Sequence, residues 1–320
     1  MANQLLTYAV YNLLKIARAL FPVLLSAITG LAAERFTVAT YNIENYLDVQ
    51  AAGRELKSPE SRAKVHEYIL LMKPDVLALQ EIGSSNSLAQ LRTTLKAAGL
   101  DYPHTAFVDG PDPFLNLAVL SRFPIIAQRA HTNENYLLRG KRFRAARGFA
   151  EVDLRVNPHY QFTLVTAHLK SRRASAEADE SEMREQEALL LREKVDAVFQ
   201  RNPNANLIVL GDMNDVRSSK TVRTLMGRGR TALLDLRPSE RNGDNRSTGR
   251  DSLDDRAITW THHFVRDDTY SRSDYIFVSP GMFRELRPEA TYIPTLANWG
   301  LASDRRPVIA TFVAEEVGSR

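Results

Sequence analysis

An aspartate and an asparagine two residues apart, at the end of an apolar run, are the groups in this chain best suited to chemistry. The run Asn206-Leu207-Ile208-Val209-Leu210 leads directly into Gly211-Asp212-Met213-Asn214-Asp215. If the run is a strand, alternation sets the Asp212 carboxylate and the Asn214 carboxamide on one face at the rim of a sheet. There the pair can hold a water or a phosphate oxygen. The same residues also suit a strand that simply closes in an Asx-type turn, since Asp, Asn and Gly populate turns for local reasons.

The elements that would position this pair are legible as apolar runs of strand length. They occur at 36–41, 76–79, 117–120, 149–156, 162–167, 207–210, 275–278 and 308–313. Helical patterns lie between some of them. The clearest are 61–72, entered through Ser58-Pro59-Glu60, and 180–199, where Leu189, Leu190, Val195 and Val198 recur at helical spacing. Early strand and helix alternation could suggest a doubly wound parallel sheet. The short link Asn157-Pro158-His159-Tyr160 is instead a hairpin signal, so mixed sheets covered by helices fit better, and there is no Gly-rich nucleotide loop.

Several of these strands end in polar residues. The first closes as Thr40-Tyr41-Asn42-Ile43-Glu44, the second as Gln80-Glu81, and a later one as Thr166-Ala167-His168. Another opens with Ser273-Asp274-Tyr275, and the last is preceded by Ser303-Asp304-Arg305-Arg306-Pro307. Each has a bland explanation alone: a cap for Asn42, a solvated strand end for Glu81, a core histidine for His168, a turn for Asp274. Strand ends on one edge of a layered α/β domain, however, converge on a shared crevice. A crevice of Asp, Asn and Glu oxygens with one His suits a hard divalent cation such as Mg²⁺, with Mn²⁺ as the alternative.

Composition narrows the class. The chain has 320 residues, 44% hydrophobic and 25% charged, enough for a sizeable core and leaving little room for disorder. With no Cys, disulfides, thiolate metal sites and cysteine nucleophiles are excluded. The formal charge of +4 falls to +2 without Lys15 and Arg18, which leave 40 basic against 38 acidic residues. Attraction for a polyanion must therefore come from local clustering. Lys15 and Arg18 precede the apolar run 19–33, and no Asp or Glu occurs before Glu34. That order reads as a secretory signal peptide over 1–33, with an uncleaved anchor as the alternative, followed by a single domain over 34–316. A periplasmic or secreted product is expected, with membrane contact only through an uncleaved leader.

The ordered set Tyr41-Asn42-Ile43, Gln80-Glu81, Leu120-Ser121-Arg122-Phe123-Pro124, Thr166-Ala167-His168-Leu169-Lys170-Ser171, Gly211-Asp212-Met213-Asn214, Ser273-Asp274-Tyr275 and Ser303-Asp304 resembles the endonuclease/exonuclease/phosphatase superfamily. That superfamily includes deoxyribonuclease I, abasic endonucleases, sphingomyelinases and inositol polyphosphate 5-phosphatases. The resemblance spans Phe36 to about Val313. It implies a deoxyribonuclease I-like α/β (α+β) fold, a four-layer α/β/β/α sandwich of two mixed β-sheets. It also implies that Glu81 with Asn42 holds Mg²⁺, with Asp304 near the metal, and that Asp212 and Asn214 position and activate the attacking water. His168 and Arg147 would bind phosphate oxygens, Asp274 would orient a catalytic histidine, and Lys170 and Arg173 would be further phosphate contacts.

One residue departs from the pattern. The family usually closes with Ser-Asp-His, and here Arg305 stands at the histidine position. Arginine stays protonated, so it can bind a phosphate oxygen but cannot take a proton from water. Three outcomes follow: slowed hydrolysis with Asp212 as sole base, a reorganised site using His262 or His263, or lost catalysis. The segment 216–250 is rich in arginine, with Arg217, Lys220, Arg223, Arg228, Arg230, Arg237, Arg241, Arg246 and Arg250 against few acids. It could form a basic flap tracking a nucleic-acid backbone or a solvated loop, and it carries no row of aromatic residues for base stacking. The expected activity is Mg²⁺-dependent hydrolysis of a phosphodiester substrate, a nucleic acid, by direct water attack, with no obligate protein partner. The alternatives are a lipid or sugar phosphate phosphohydrolase and a catalytically impaired binding homologue.

Overall fold

The computed structural model describes residues 34–51, 53–240 and 259–315. The expected leader over 1–33 and Arg241, Arg246 and Arg250 of the basic segment lie outside the described residues. Among the described residues no helix is long and apolar enough to cross a membrane.

Strand alternation divides each chain segment between two cores. In β1 (Arg35–Tyr46), Phe36 and Val38 face one way, while Ala39, Tyr41 and Ile43 face the other. β1 lies inside a seven-stranded sheet with, in chain order, β2 (Val76–Ile82), β3 (His104–Val108), β4 (Asn116–Ser121), β12 (Ser239–Glu240), β16 (Tyr292–Ile293) and β17 (Val308–Val313), ordered β12-β16-β17-β1-β2-β4-β3. A six-stranded sheet runs β11-β15-β10-β9-β8-β5. Its members are β5 (Ile125–His131), β8 (Phe149–Asn157), β9 (Tyr160–His168), β10 (Leu207–Asp212), β11 (Leu234–Asp235) and β15 (Asp274–Val278). Both sheets are mixed: β1 runs parallel to β2 and antiparallel to β17, and β10 runs parallel to β9 and antiparallel to β15. The hairpin read at Asn157–Tyr160 joins β8 to β9, which pair antiparallel. Two small hairpins, β6 (Asn135–Leu138) with β7 (Lys141–Arg144) and β13 (His262–Phe264) with β14 (Thr269–Ser271), complete the strands described.

Phe36, Val38, Val76, Val119, Leu154, Leu164, Ile208, Ile276 and Phe312 fill the space between the sheets. Burial of each such side chain contributes about 1.5–3 kcal/mol, which makes this layer the main adhesive between the halves. Helices cover the outer faces. α1 (Pro59–Met72) and α2 (Ser85–Ala97) pack Val65, Tyr68, Ile69, Leu88 and Leu91 against the first sheet. α3 (Glu180–Arg201) and α4 (Lys220–Met226) pack Leu191, Val195, Val198 and Val222 against the second. The result is the four-layer sandwich expected. The α1 start follows its sequence signal, for the Ser58 side chain accepts from the Ser61 amide and Pro59 opens the helix. On α3 the apolar stripe differs in part from the periodic residues read in sequence, because Leu189 is 46% exposed while Ala188 and Leu191 carry the contact.

The basic segment after Val216 does not form a flap over its described half. Thr221, Val222 and Leu225 anchor α4 in the core, Arg217 pairs with Asp235, and Lys220 pairs with Glu185.

Candidate active site

The interior between the sheets changes from apolar to polar along each strand, and this gradient builds the site. Inward positions run Phe36, Val38, Thr40, Asn42 on β1, then Val76, Ala78, Gln80 on β2. They run Leu164, Thr166, His168 on β9, Ile208, Leu210, Asp212 on β10, and Val278, Ile276, Asp274 on β15. Register keeps equivalent positions level, with Asn42 beside Gln80 and Asp212 between His168 and Asp274. A hydrogen-bonded bridge crosses between the sheets just below the site: Thr40 Oγ1 donates to Gln80 Oε1 at 3.2 Å, and Gln80 Nε2 donates to Thr166 Oγ1 at 3.1 Å. Buried polar groups are costly unless paired, so this layer closes the apolar core under the chemistry.

Above that bridge the predicted residues meet. Asn42 Nδ2 donates to Asp212 Oδ2 at 3.0 Å and to Glu81 Oε1 at 3.2 Å. His168 Nε2 lies 3.7 Å from Asp212 Oδ2 and 3.9 Å from Glu81 Oε1. Glu81 leaves the strand conformation at φ 63°, which turns its carboxylate toward the same space as its inward neighbour, where Oε2 accepts from the Asn45 amide at 3.0 Å.

Asn214 joins the site by turn geometry rather than by alternation. β10 ends at Asp212, and Asn214 adopts φ 50° with its amide donating to Asp212 Oδ1 at 2.8 Å. The Asx turn and the functional pairing are therefore one structure. Gly211 is required just before it, at φ 131°, because a Cβ there would meet the Ala167 carbonyl oxygen at 2.0 Å.

Arg305 fills the centre. Its Nη1 lies 2.6 Å from Asp212 Oδ2, donates to Ser273 Oγ at 2.7 Å and stands 3.7 Å from Asp274 Oδ2. Nη2 donates to Asn214 Oδ1 at 3.2 Å, and Nε lies 3.3 Å from Asp304 Oδ1. Ser303 holds this loop in place, with its hydroxyl donating to the Asn42 carbonyl and accepting from the Arg305 amide. Arg305 thus engages the same two side chains, Asp212 and Asn214, that sequence reasoning assigns to water activation.

The charges respond accordingly. Burial would raise the Asp212 carboxyl, but the Arg305 charge and the hydrogen bonds from Asn214 and Asn42 outweigh it and hold the group below its ordinary value. Burial first, and then the charge on Asp212, push Asp274 up to about 8, so near neutral pH it is largely protonated. Thr261 Oγ1 donates to Asp274 Oδ2 at 2.6 Å, while Oδ1 is buried with no hydrogen-bond partner. Burial and then the Arg147 charge press His168 well below the usual imidazole range, so it is neutral, and its Nδ1 has no partner. Arg147, also buried, leaves Nε without a hydrogen-bond acceptor, with Asp112 Oδ2 3.8 Å away.

Of these groups Glu81, Arg147, His168, Asn214, Asp304 and Arg305 line a cleft of about 1050 Å³, while Asn42, Asp212 and Asp274 lie buried behind that lining. Glu44 lines it too, and so do Arg54, Arg172, Arg173 and Arg266, which with Arg147 make the lining rich in arginine. Lys170 does not join them: its Nζ donates to the Ser171 and Arg173 carbonyls at 3.3 and 3.0 Å, which ties it to its own loop as a brace. Of the basic segment 216–250, no described residue lines the cleft. His262 lines it, with Nε2 3.4 Å from Asp304 Oδ2, whereas His263 is bound to Asp268 and stacked on Tyr270. Sequence reasoning gave no role to Glu44, Arg54, Arg172 or Arg266. Arg172 was visible beside Arg173, and Glu44 in the strand end after Asn42, but Arg54 and Arg266 sit in irregular segments that carry no periodic signal.

The acidic corner fits a divalent cation of the Mg²⁺ type. Glu44 Oε2 accepts from the Asp304 amide at 3.2 Å and lies 3.5 Å from Lys57 Nζ, and burial followed by repulsion from Asp304 raises the Glu44 carboxyl despite that lysine. Among the described residues no three His, Asp or Glu side chains form a ready-made cage. Mg²⁺ does not require one, since it keeps several waters and takes one or two carboxylates.

The profile of the Endonuclease/Exonuclease/phosphatase family matches residues 39–293. No curated protein matches the chain. Among solved structures, truncated TDP2 of Caenorhabditis elegans is 16% identical with a TM-score of 0.59, the match covering 88% of this chain and 98% of that one. The human Nocturnin catalytic domain, solved with a sulfate anion, is 17% identical with a TM-score of 0.60, covering 88% and 95%. Sphingomyelinase C of Streptomyces griseocarneus is 17% identical with a TM-score of 0.55, covering 88% and 100%. At these identities the likeness is one of fold.

Proposed function

The chain belongs to the endonuclease/exonuclease/phosphatase family, whose members include nucleases and phosphatases, and on that premise we propose that it is an exported, divalent-cation-dependent phosphodiesterase acting on nucleic acid. The observation that carries the reading is a pair of buried nitrogens without hydrogen-bond partners, His168 Nδ1 and Arg147 Nε, the latter 3.8 Å from Asp112 Oδ2, on residues that line an arginine-rich cleft. Buried polar atoms are normally satisfied, and a phosphate oxygen is the acceptor that such nitrogens, beside Arg54, Arg172, Arg173 and Arg266 and a carboxylate corner, would take. Export rests on the sequence of residues 1–33 alone.

Glu81, Asp304 and Asn42, with Glu44 beside them, are the residues that would hold the cation. When bound it neutralises phosphate charge and stabilises the leaving oxygen. Neutral His168 and the Arg147 guanidinium bind the phosphate oxygens and offset the charge that grows on them as water attacks. Arg305 adds a fixed positive charge to the same space and cannot accept a proton. The proton of the attacking water then has Asp212 as its acceptor, and the ion pair at 2.6 Å makes Asp212 a weak base. Hydrolysis by direct water attack is therefore slow but retained.

The test is incubation of the protein with plasmid DNA, a chromogenic bis-phosphate ester and a phospholipid panel, each with Mg²⁺ and with chelator. Chelator-sensitive cleavage of DNA supports the reading. Turnover of phospholipid alone would move the assignment to lipid phosphates, and salt-steep DNA binding without turnover would make the chain a binding homologue.

A further inference from the structure

We propose that Phe264 is a base-stacking platform, the ring on which a nucleotide flanking the scissile phosphate lays its base, so that the substrate is single-stranded or frayed nucleic acid. The proposal rests on the phosphodiesterase reading of the cleft and adds to it the form of the polymer.

The β13–β14 hairpin pairs His262 with Ser271, His263 with Tyr270 and Phe264 with Thr269. Alternation sorts these residues into two sets. One set anchors the hairpin: His263 stacks on Tyr270 at 4.3 Å, Tyr270 meets Trp260 edge-on at 4.8 Å, and Trp260 meets Trp299 at 5.1 Å. Arg306 lies over Trp260 at 3.4 Å and pairs with Glu240, which fixes this cluster to the body of the domain. The other set, His262, Phe264, Thr269 and Ser271, lines the cleft, and of the anchoring set Tyr270 also reaches it.

Phe264 is 42% exposed, and its one described ring contact is His262, tilted at 6.3 Å. A lone exposed apolar residue is ordinary on a surface. This one is held on a braced hairpin and lines a cleft that Arg172, Arg173 and Arg266 also line. A flat apolar face among phosphate-binding cations matches a ligand that joins planar rings to phosphates, which is a nucleic acid with its bases unpaired. A phospholipid also joins apolar and phosphate parts, and Val265 at the tip is 73% exposed. The tip continues as Arg266-Asp267-Asp268, however, and the Asp268 side chain is 83% exposed. Driving those carboxylates into a bilayer would be costly, so the hairpin is built for water and for a base.

The test is fluorescence anisotropy on the full chain in Mg²⁺ with two phosphorothioate-linked eight-mers, one of thymidine and one abasic at every position. The unsubstituted protein should bind the thymidine oligomer about 5- to 100-fold more tightly than the abasic one, the range for stacking on one ring. Phe264→Ala and Phe264→Leu should both remove that gap while leaving the near-ultraviolet signal of the Trp260 and Trp299 cluster unchanged, and Phe264→Trp should keep the gap. If Phe264→Ala or Phe264→Leu retains the gap, the platform is wrong while the phosphodiesterase reading stands. Failure of the unsubstituted protein to bind either oligomer overturns both. Binding to phosphatidylglycerol vesicles that is lost in Phe264→Ala, with oligomer affinity unaltered, would assign the hairpin to lipid instead.

Discussion

Arg305→His is the substitution that bears most directly on how this site moves a proton. The guanidinium now neutralises Asp212 at 2.6 Å and reaches Asn214 and Ser273, so its removal breaks a buried ion pair and two side-chain hydrogen bonds. Breaking a buried pair costs about 3–5 kcal/mol when no charge replaces it. Imidazolium can replace part of it, so the variant should melt lower by roughly 5–15 °C at the 2–4 °C per kcal/mol typical of large domains. The gain lies in chemistry. Asp274 Oδ1 is buried without a partner, a ready acceptor for an imidazole N–H, and Asp274 already stands 3.7 Å from the side chain being replaced. A general base contributes about 10²- to 10⁴-fold to rate. Imidazole is shorter than the arginine side chain, so the lower end, about 10²-fold in kcat on a phosphodiester oligonucleotide, is expected. The assay is single-turnover cleavage at saturating Mg²⁺ beside calorimetric Mg²⁺ binding and a melting curve. Adding Asp274→Asn should erase the gain, since it withdraws the group that orients the ring. A folded Arg305→His protein that binds Mg²⁺ normally yet cleaves no faster would refute the reasoning.

Gly211→Ala should lower stability by roughly 2–5 kcal/mol in denaturant melts, from left-handed strain and a clash with the Ala167 carbonyl oxygen that the strand pairing cannot relieve. The Asp274 carboxyl, raised from 3.8 unfolded to about 8 folded, contributes stability at low pH that drains away as pH rises between those values. The melting temperature of Asp274→Asn relative to the unsubstituted protein should therefore climb from pH 4 to pH 8 and level off above, and a flat difference would contradict the assignment. Asp212 has the opposite sign, being depressed, and its contribution is lost only as pH falls below 3.8. Arg173→Ala and Arg266→Ala, both lining the cleft, should each reduce the slope of log affinity against log salt by about 0.7 for single-stranded DNA. His262→Gln should leave the cleavage rate within about twofold if Asp212 is the acceptor, and a loss near 10²-fold would transfer that role.

Much of the fold was legible because inward positions are apolar for most of each strand and turn polar only near the rim. Phe36-Val38-Thr40-Asn42 and Ile208-Leu210-Asp212 carry the strand, its face and its chemistry in one pattern. What escaped the sequence depends on short or irregular segments. β13 and β14 have three residues each, too few for alternation to register, so the face that puts Phe264 in the cleft emerges only from their pairing. The arginine-rich stretch after Val216 left a flap and a solvated loop equally open for a physical reason: charge density in sequence says nothing of direction, and in the fold Arg217 and Lys220 pair with Asp235 and Glu185. Lys170 points back at its own loop, while Arg54 reaches the cleft from a segment with no periodic signal. Arg305 was visible as a misfit, but that it would bind Asp212 and Asn214 at once required their distances.

The central claim is that this cleft hydrolyses phosphodiesters through its own residues and a divalent cation. It is tested most directly by cleavage of a defined single-stranded oligonucleotide by the unsubstituted protein and by His168→Ala and Glu81→Gln, purified in parallel and assayed with Mg²⁺ and with chelator. Chelator-sensitive cleavage that falls by at least about 10²-fold in both variants, with melting curves intact, is the expected result. Cleavage that persists equally in all three proteins, or that chelator does not touch, would contradict the account.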